Sequence, residues 1–239
     1  MIRAFQVLDL FRSHRHLGAS QCASLLGMTR ASAHRMLVSL TEAGAIERID
    51  SGRYRLSIWM FEVGSQVPLL RGLTDLAQLP MERLNILTKR NVHLAVREGF
   101  ELIYLLKVGQ ATGRARTRPG TRNPLHATGL GKILLAWAPE PFVDDLIGHG
   151  LRTYTKYTIT SPARLLAELA EVRATGFSYD REERQVGVSC VATSIRDSSG
   201  RVIASISIPF NSEDYAAQHP ERARQSLRET AQAIEARVR

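Results

Sequence analysis

Lysine is nearly missing from this chain of 239 residues: Lys89, Lys107, Lys132 and Lys156 are all it has. Cysteine is scarcer still, with Cys22 and Cys190 far apart. Two thiols at that separation offer no metal-ligand spacing and no disulfide framework, which fits the reducing cytoplasm. No stretch approaches ~18 consecutive apolar residues, so no helix is expected to span a bilayer. The first ten residues carry Asp9 and lack the basic-then-apolar layout and small-residue cleavage site of a secretion signal. There is no Gly-x-Ser-x-Gly, Walker-type or metal-binding motif, and no cofactor is expected. Internal repeats and low-complexity tracts are also absent.

What is present is arginine. The net charge is +9, and such an excess invites phosphate, whose counterions basic side chains release. A GC-rich genome alone would also enrich arginine, so the distribution carries more weight than the total. Residues 1–57 hold 8 arginines against 4 acids and no lysine. With 44 % hydrophobic and 23 % charged residues, the chain can build ordinary cores, and its length suits two domains.

The N-terminal pattern is helix, short helix, turn, longer helix, hairpin. Phe5, Leu8 and Phe11 mark one face of a helix over residues 4–13. Ser20 is placed to cap a second helix from Gln21 to Leu26, closed by Gly27. Thr29 is placed to cap a third, whose apolar stripe is Ala33, Met36, Leu37, Leu40 and Ala43, with Gly44 as its left-handed exit. Two short strands follow, joined at Asp50-Ser51-Gly52, which makes a wing. Off the third helix's stripe lie Arg30, Ser32, His34, Arg35 and Ser39. Guanidinium groups near the start of a helix suit guanine edges or phosphates in a major groove. Thr29, Ser20 and Gln21 stand beside them, and Arg53 at the wing tip suits a minor groove or a phosphate. A solvated helix face explains any one helix equally well; the series explains all of it as a winged helix-turn-helix.

Beyond residue 57 two helices are expected, broken near Pro68 and adjusted near Pro80. From Asn91 the period changes to two. VHLAV and ELIYLLKV form a hairpin around Glu98-Gly99, and a polar stretch, Gln110 to Asn123, reads as loop or irregular strand. LHATGLGKILLAWA reads as a glycine turn opening an apolar helix. Ser161-Pro162 starts another helix that ends at Gly176, and FSYD, VSCVATSI and VIASISI are strands, with a turn at residues 197–200. Residues 213–239 form a polar helix. The result is an α+β chain: a winged helix-turn-helix domain over 1–57, a linker helix over 58–70, and a domain with an antiparallel sheet over 71–239.

GASQCASLLGMTRASAHRMLVSLTEAGAIER, SGRYRLS, NVHLAV, PLHATGLGKILLA, DREERQVGVSCVA and ASISI, in this order and spacing, resemble the bacterial isocitrate-lyase-regulator (IclR) family across essentially the whole chain. The resemblance implies an effector-binding domain on a GAF-like, profilin-like sheet and a linker helix that pairs protomers. It also implies a homodimer or dimer of dimers on a near-palindromic double-stranded DNA operator, controlling catabolism of small carboxylic or aromatic acids. It assigns the amides of Gly129 and Leu130 to the effector's carboxylate, and Asp180, Cys190 and Ser207 to the pocket wall, with Thr128 and His126 beside them. Departures stand out: Ala31-Ser32 replaces a common serine-threonine pair, Pro209 a serine, and Thr193-Ser194 a commoner Ala-Pro. Glycine-turn amides at a helix start make an anion nest independently of any resemblance. Each pocket residue has an ordinary alternative: Cys190 as a small buried hydrophobe, Ser207 as a strand residue satisfied by its neighbours, Asp180 as a strand-end carboxylate, His126 as a structural hydrogen-bonder.

Two other functions compete. Cys190 as nucleophile with His126 as base and Asp180 as orienter would make an enzyme, yet Cys190 falls inside a strand pattern where no positive charge favours its thiolate. A sensor or scaffold that has lost DNA binding is the third reading.

Overall fold

The computed structural model describes residues 1–49, 51–109, 118–213 and 220–238. It divides into two compact units, Met1–Arg71 and Gly72–Arg239. Asp50 of the expected wing turn, residues 110–117 of the polar stretch, and 214–219 and 239 of the expected last helix lie outside the described residues.

In the first unit, α1 (Ile2–Leu10), α2 (Ala19–Leu26) and α3 (Arg30–Glu42) precede β1 (Ile46–Arg48), β2 (Tyr54–Leu56) and α4 (Ile58–Gly64). Val7, Phe11, Leu17, Cys22, Ala33, Leu37, Leu40 and Ile46 form its core; each fully buried aliphatic side chain contributes about 1.5–3 kcal/mol. The face of α1 differs from expectation. Val7 and Phe11 are buried with Ala4 and Leu8 partly so, while Phe5 is 67 % exposed. Ser20 does not cap α2: Gly18 holds that position, without a side-chain bond, and Ser20 falls in the first turn. Thr29 does cap α3, its hydroxyl accepting from Ser32 N–H at 3.2 Å. At the far end Gly44, at φ +77°, lets Ala45 N–H reach Leu40 C=O and its own N–H reach Thr41 C=O, both at 2.9 Å. That pair closes the helix as a Schellman motif, and Ala43 stays exposed, outside the stripe.

β1 and β2 pair antiparallel, Glu47 opposite Arg55, and those two side chains form an ion pair. Leu17 joins the wing through a two-way backbone bridge with Tyr54. Ser57 donates its hydroxyl to Gly44 C=O and its N–H to Ala45 C=O, fixing where α4 leaves α3 and the wing.

α5 (Pro68–Thr88) runs through Pro80, burying Leu73, Ala77, Met81 and Leu84 along one stripe. Then come β3 (Val92–Glu98), β4 (Glu101–Val108), β5 (Arg122–Pro124), α6 (Gly129–Ala136), α7 (Glu140–Gly148), α8 (Pro162–Thr175), β6 (Phe177–Arg181), β7 (Val188–Arg196), β8 (Val202–Asn211) and α9 (Pro220–Glu235). The strands make one antiparallel sheet ordered β5-β4-β3-β8-β7-β6. Helix α7 has no counterpart in the sequence-based reading.

Cross-strand partners share a face, and the registers give two contrasting ones. His93, Ser207, Ala192 and Ser178 form one row across β3, β8, β7 and β6, and Asp180, Cys190 and Pro209 the next. Leu94, Ile206, Thr193 and Phe177 make a row on the opposite face. The first face lies under α6 and the core it shares with α7 and α8. The second is packed by α9, whose Leu227, Ala231 and Ile234 are buried. Pro209 sits past the last β8 residue paired to β3, where its missing N–H breaks no bond to that strand.

Candidate functional site

The residues expected to read DNA lie mainly on α3. Arg30, His34, Arg35 and Ser39 are all exposed, and Ser32 is half-buried at the helix start. Two of these groups, Ser32 and Arg35, are already organised with the Thr29 cap. Thr29 donates its hydroxyl to Ser32 Oγ at 3.0 Å, and Arg35 Nη2 donates to the same oxygen at 3.2 Å. One guanidinium is thereby held along the outer face while its remaining donors stay open. Ser20 and Gln21 are exposed on α2, and Arg53 is exposed just before β2. Helix, cap and wing present donors to a polyanion with no carboxylate from α3's first turn among them.

In the second unit a cavity of about 220 Å³ opens between the sheet and the start of α6. Thr128, Leu130, Asp180, Cys190 and Ser207, all expected there, line it. The Thr128 hydroxyl accepts from Gly131 N–H at 3.1 Å, capping one of the amides at the open end of α6. The Gly129 and Asp180 amides are directed at the Cys190 sulfur and work against the effect of burial on its thiol. Glycine is required at the helix start: a Cβ on Gly129 would come within 2.7 Å of Cys190 Sγ, and one on Gly131 within 2.2 Å of Leu125 C=O.

His126 is the exception among the expected pocket residues. It does not line the cavity; its ring is buried, and Nε2 engages Arg152 C=O at 3.0 Å. The structural role considered for it is the one the geometry shows. No triad forms either. Burial, reinforced by Asp180, pushes the Cys190 thiol up to about 12, so no thiolate is available at neutral pH, and His126 is bonded elsewhere.

Several lining residues were not anticipated. His93 and Tyr104 come from β3 and β4, Thr121 and Asn123 from the approach to β5 and β5 itself, Arg184 and Gln185 from the turn after β6. Their placement depends on β3 lying beside β8, which local pattern does not announce; the only local signal was a histidine inside an apolar strand. Arg184 supplies a cation to the cavity, its Nε donating to Asn123 Oδ1 at 3.0 Å and its guanidinium packed 4.5 Å from the Tyr154 ring centroid. Asp180 accepts from Glu183 N–H at 2.7 Å. Burial, with Glu183 as a second cause, pushes its carboxyl up to about 7. A polar floor, amides at a helix start and, among the described residues, one guanidinium suit a compact anion.

Comparison with known proteins gives the same division of the chain. The IclR helix-turn-helix domain family matches residues 2–50, and the family described as bacterial transcriptional regulator IclR C-terminal matches residues 70–236. The HTH-type transcriptional regulator XynR of Escherichia coli is 34 % identical over 213 residues, 86 % of this chain and 83 % of that protein. KdgR of the same organism is 31 % identical over 213 residues, 88 % of this chain and 81 % of its own. Among solved structures, an IclR homolog from Microbacterium hydrocarbonoxydans complexed with 4-hydroxybenzoate superposes with a TM-score of 0.91 at 26 % identity, covering 99 % of this chain and 97 % of that one. Among the described residues no helix is long and apolar enough to cross a membrane. A capped α3 with open arginines, a wing pinned behind it, and two family matches in this order make the chain a DNA-binding transcription regulator of the IclR family.

Proposed function

We propose that this regulator acts in the cytoplasm as a homodimer, or a dimer of dimers, on a near-palindromic operator, and that a small organic acid in the cavity beside α6 modulates its grip. The carrying observation is the joint presence of Arg184, the α6 amides and a floor of hydroxyl and imidazole groups around a space below the roughly 300–1,000 Å³ of drug-sized sites. The acid's carboxylate would rest on the Leu130 amide, beside the Gly129 amide that already faces the Cys190 sulfur. Asp180, whose carboxyl burial raises to about 7, would take up a proton as the anion approaches and then donate a hydrogen bond in place of repelling it.

For pairing, α4 has no buried residue: Ile58 and Phe61 are each 71 % exposed, with Trp59 and Val63 beside them. An apolar helix surface of this kind is covered by the same helix of a second copy. Two α3 helices related by a two-fold axis would then meet successive major grooves about 34–36 Å apart. The genes controlled would serve catabolism of the acid that is sensed.

Footprinting of the DNA upstream of the chain's own gene, with and without candidate acids, tests the reading. Two protected half-sites about one helical turn apart, weakened or strengthened by an acid, are expected. A regulator whose footprint ignores every acid that binds it would remove the sensing role, because a ligand with equal affinity for free and DNA-bound states shifts nothing.

A further inference from the structure

Arg35 lies on the outermost line of α3. Ala33, Leu37 and Leu40 are buried in the first unit, and the helical repeat puts positions 31, 35 and 38 on the opposite side. Ala31 and Arg35 are exposed there, and Val38 is half-buried. Positions four before and three after Arg35 are its neighbours on the helix surface, so one cation stands between two small apolar side chains. Methyl groups on either side suit the floor of a major groove, where the thymine C5-methyl lies. To a phosphate they offer nothing.

The hydrogen bonds narrow what that cation can read. Ser32 Oγ accepts twice, from Thr29 Oγ1 at 3.0 Å and from Arg35 Nη2 at 3.2 Å. Thr29 is fixed in turn by Ser32 N–H, which donates to its hydroxyl at 3.2 Å. A guanidinium has two double-donor edges, Nε with Nη2 and Nη1 with Nη2, and Nη2 gives one hydrogen to each. Ser32 takes one of those hydrogens. The other edge stays whole, since Arg35 makes no further hydrogen bond or ion pair among the described residues. Guanine matches such an edge because its N7 and O6 both accept; adenine sets a donor beside its N7 and refuses it.

We propose that Arg35 reads a guanine in each operator half-site through its remaining edge, and that Ser32 is a positioning residue that selects this edge and holds it outward. Thr29, Ser32 and Arg35 follow one another at three-residue steps, so the tie is local to α3 and in place before DNA arrives. Less side-chain freedom is then lost on docking. The half-sites rest on the operator reading above; the base and its reader are added to it.

Base analogues test it on the full-length protein. A duplex enriched by the wild type from a random-sequence pool is remade with 7-deazaguanine at one guanine at a time, which removes N7 and keeps Watson–Crick pairing. One position per half-site should cost the wild type about fivefold or more in affinity, and Arg35→Ala less than about twofold. Ser32→Ala, which leaves α3 a good helix former, should shrink the wild-type penalty to within about twofold and keep its affinity for random DNA. Ser32→Thr retains the hydroxyl and should restore the penalty. A Ser32→Ala loss that is equal on every duplex, or that persists in the Arg35→Ala background, overturns the positioning role, because the serine then contacts phosphate itself. A penalty absent at every guanine, or identical in wild type and Arg35→Ala, overturns the guanine assignment and leaves the operator standing. Enrichment of no sequence over random DNA overturns both.

Discussion

Lys132 Nζ lies 2.7 Å from Glu183 Oε1 and 2.7 Å from Glu168 Oε1, and no part of Lys132 reaches solvent. The three side chains fasten α6 to α8 and to the turn after β6. That turn carries Arg184 and Gln185 into the cavity, and Glu183 N–H meets Asp180 Oδ1. A buried ion cluster thus sets the geometry of the cavity wall from behind it.

Removing the lysine alone should be severe. Lys132→Met leaves Glu183 without its cation and Glu168 with only the more exposed Arg181 at 4.0 Å, and breaking a buried pair from one side costs about 3–5 kcal/mol. Urea unfolding should show the loss, and adding Glu183→Gln and Glu168→Gln to Lys132→Met should recover much of it. A single-variant loss below about 1 kcal/mol would mean that water reaches the cluster and screens it.

On α3, Arg35→Ala and Arg30→Ala should each weaken operator binding by about 1–3 kcal/mol if the side chain reads a base, with relaxed preference at one operator position. Thr29→Ala should do two things at once, since its hydroxyl both caps α3 and orders Ser32. It should cost about 1 kcal/mol of stability and loosen Arg35 as well. Mobility shifts across a salt series separate the effects: equal loss on specific and random DNA marks a phosphate contact.

Stability against pH should carry two opposed contributions from one cavity. Asp180 is raised to about 7 in the folded chain, above its ordinary 3.8. Folding therefore takes up a proton between those values, and this stabilising effect, complete below 3.8, is lost as pH rises through 7. His93 runs the other way: lowered from 6.5 to about 3, it contributes stability above 6.5 that is lost as pH falls towards 3. Melting temperatures of Asp180→Asn should lose the decline from pH 4 to 7, while those of His93→Leu should lose the acid-side fall. Parallel wild-type and variant curves would count against both shifts.

Gly131→Ala should destabilise more than Gly129→Ala. The added methyl at residue 131 meets Leu125 backbone atoms at 2.2 to 2.6 Å, whereas at 129 the nearest obstacle is the Cys190 sulfur at 2.7 Å. A backbone cannot step aside cheaply; a single sulfur can be removed. Gly129→Ala combined with Cys190→Ala should accordingly be more stable than the sum of the two changes, a coupling that a double-mutant cycle measures. Strict additivity would show that the two groups do not press on each other.

Much of this architecture could be read from local chemistry. Thr29 and Gly44 bound α3 as cap and left-handed exit, Gly176 closes α8, and Gly99 turns the β3–β4 hairpin. These signals act over a few residues, within reach of pattern. Errors arose where alternatives fit equally. Phe5, Leu8 and Phe11 share a helical face almost as well as Ala4, Val7, Leu8 and Phe11, and only the neighbouring helices decide. Helix α7 buries just Val143 and Leu146 from nine residues, too few to set a period. The cavity was half legible for the same reason. Glycine-turn amides, Asp180, Cys190 and Ser207 sit in recognisable strings, but His93 joins them only because β3 pairs with a strand more than a hundred residues later.

The strict alternation along β8 has an evolutionary consequence. Ser205, Ser207 and Pro209 look one way; Ile206, Ile208 and Phe210 look the other, where α9 covers the sheet. Of these only Ser207 and Pro209 line the cavity, so exchanges there would reshape its interior while Ile206, Ile208 and Phe210 keep the opposite face packed, and lining and scaffold can vary separately.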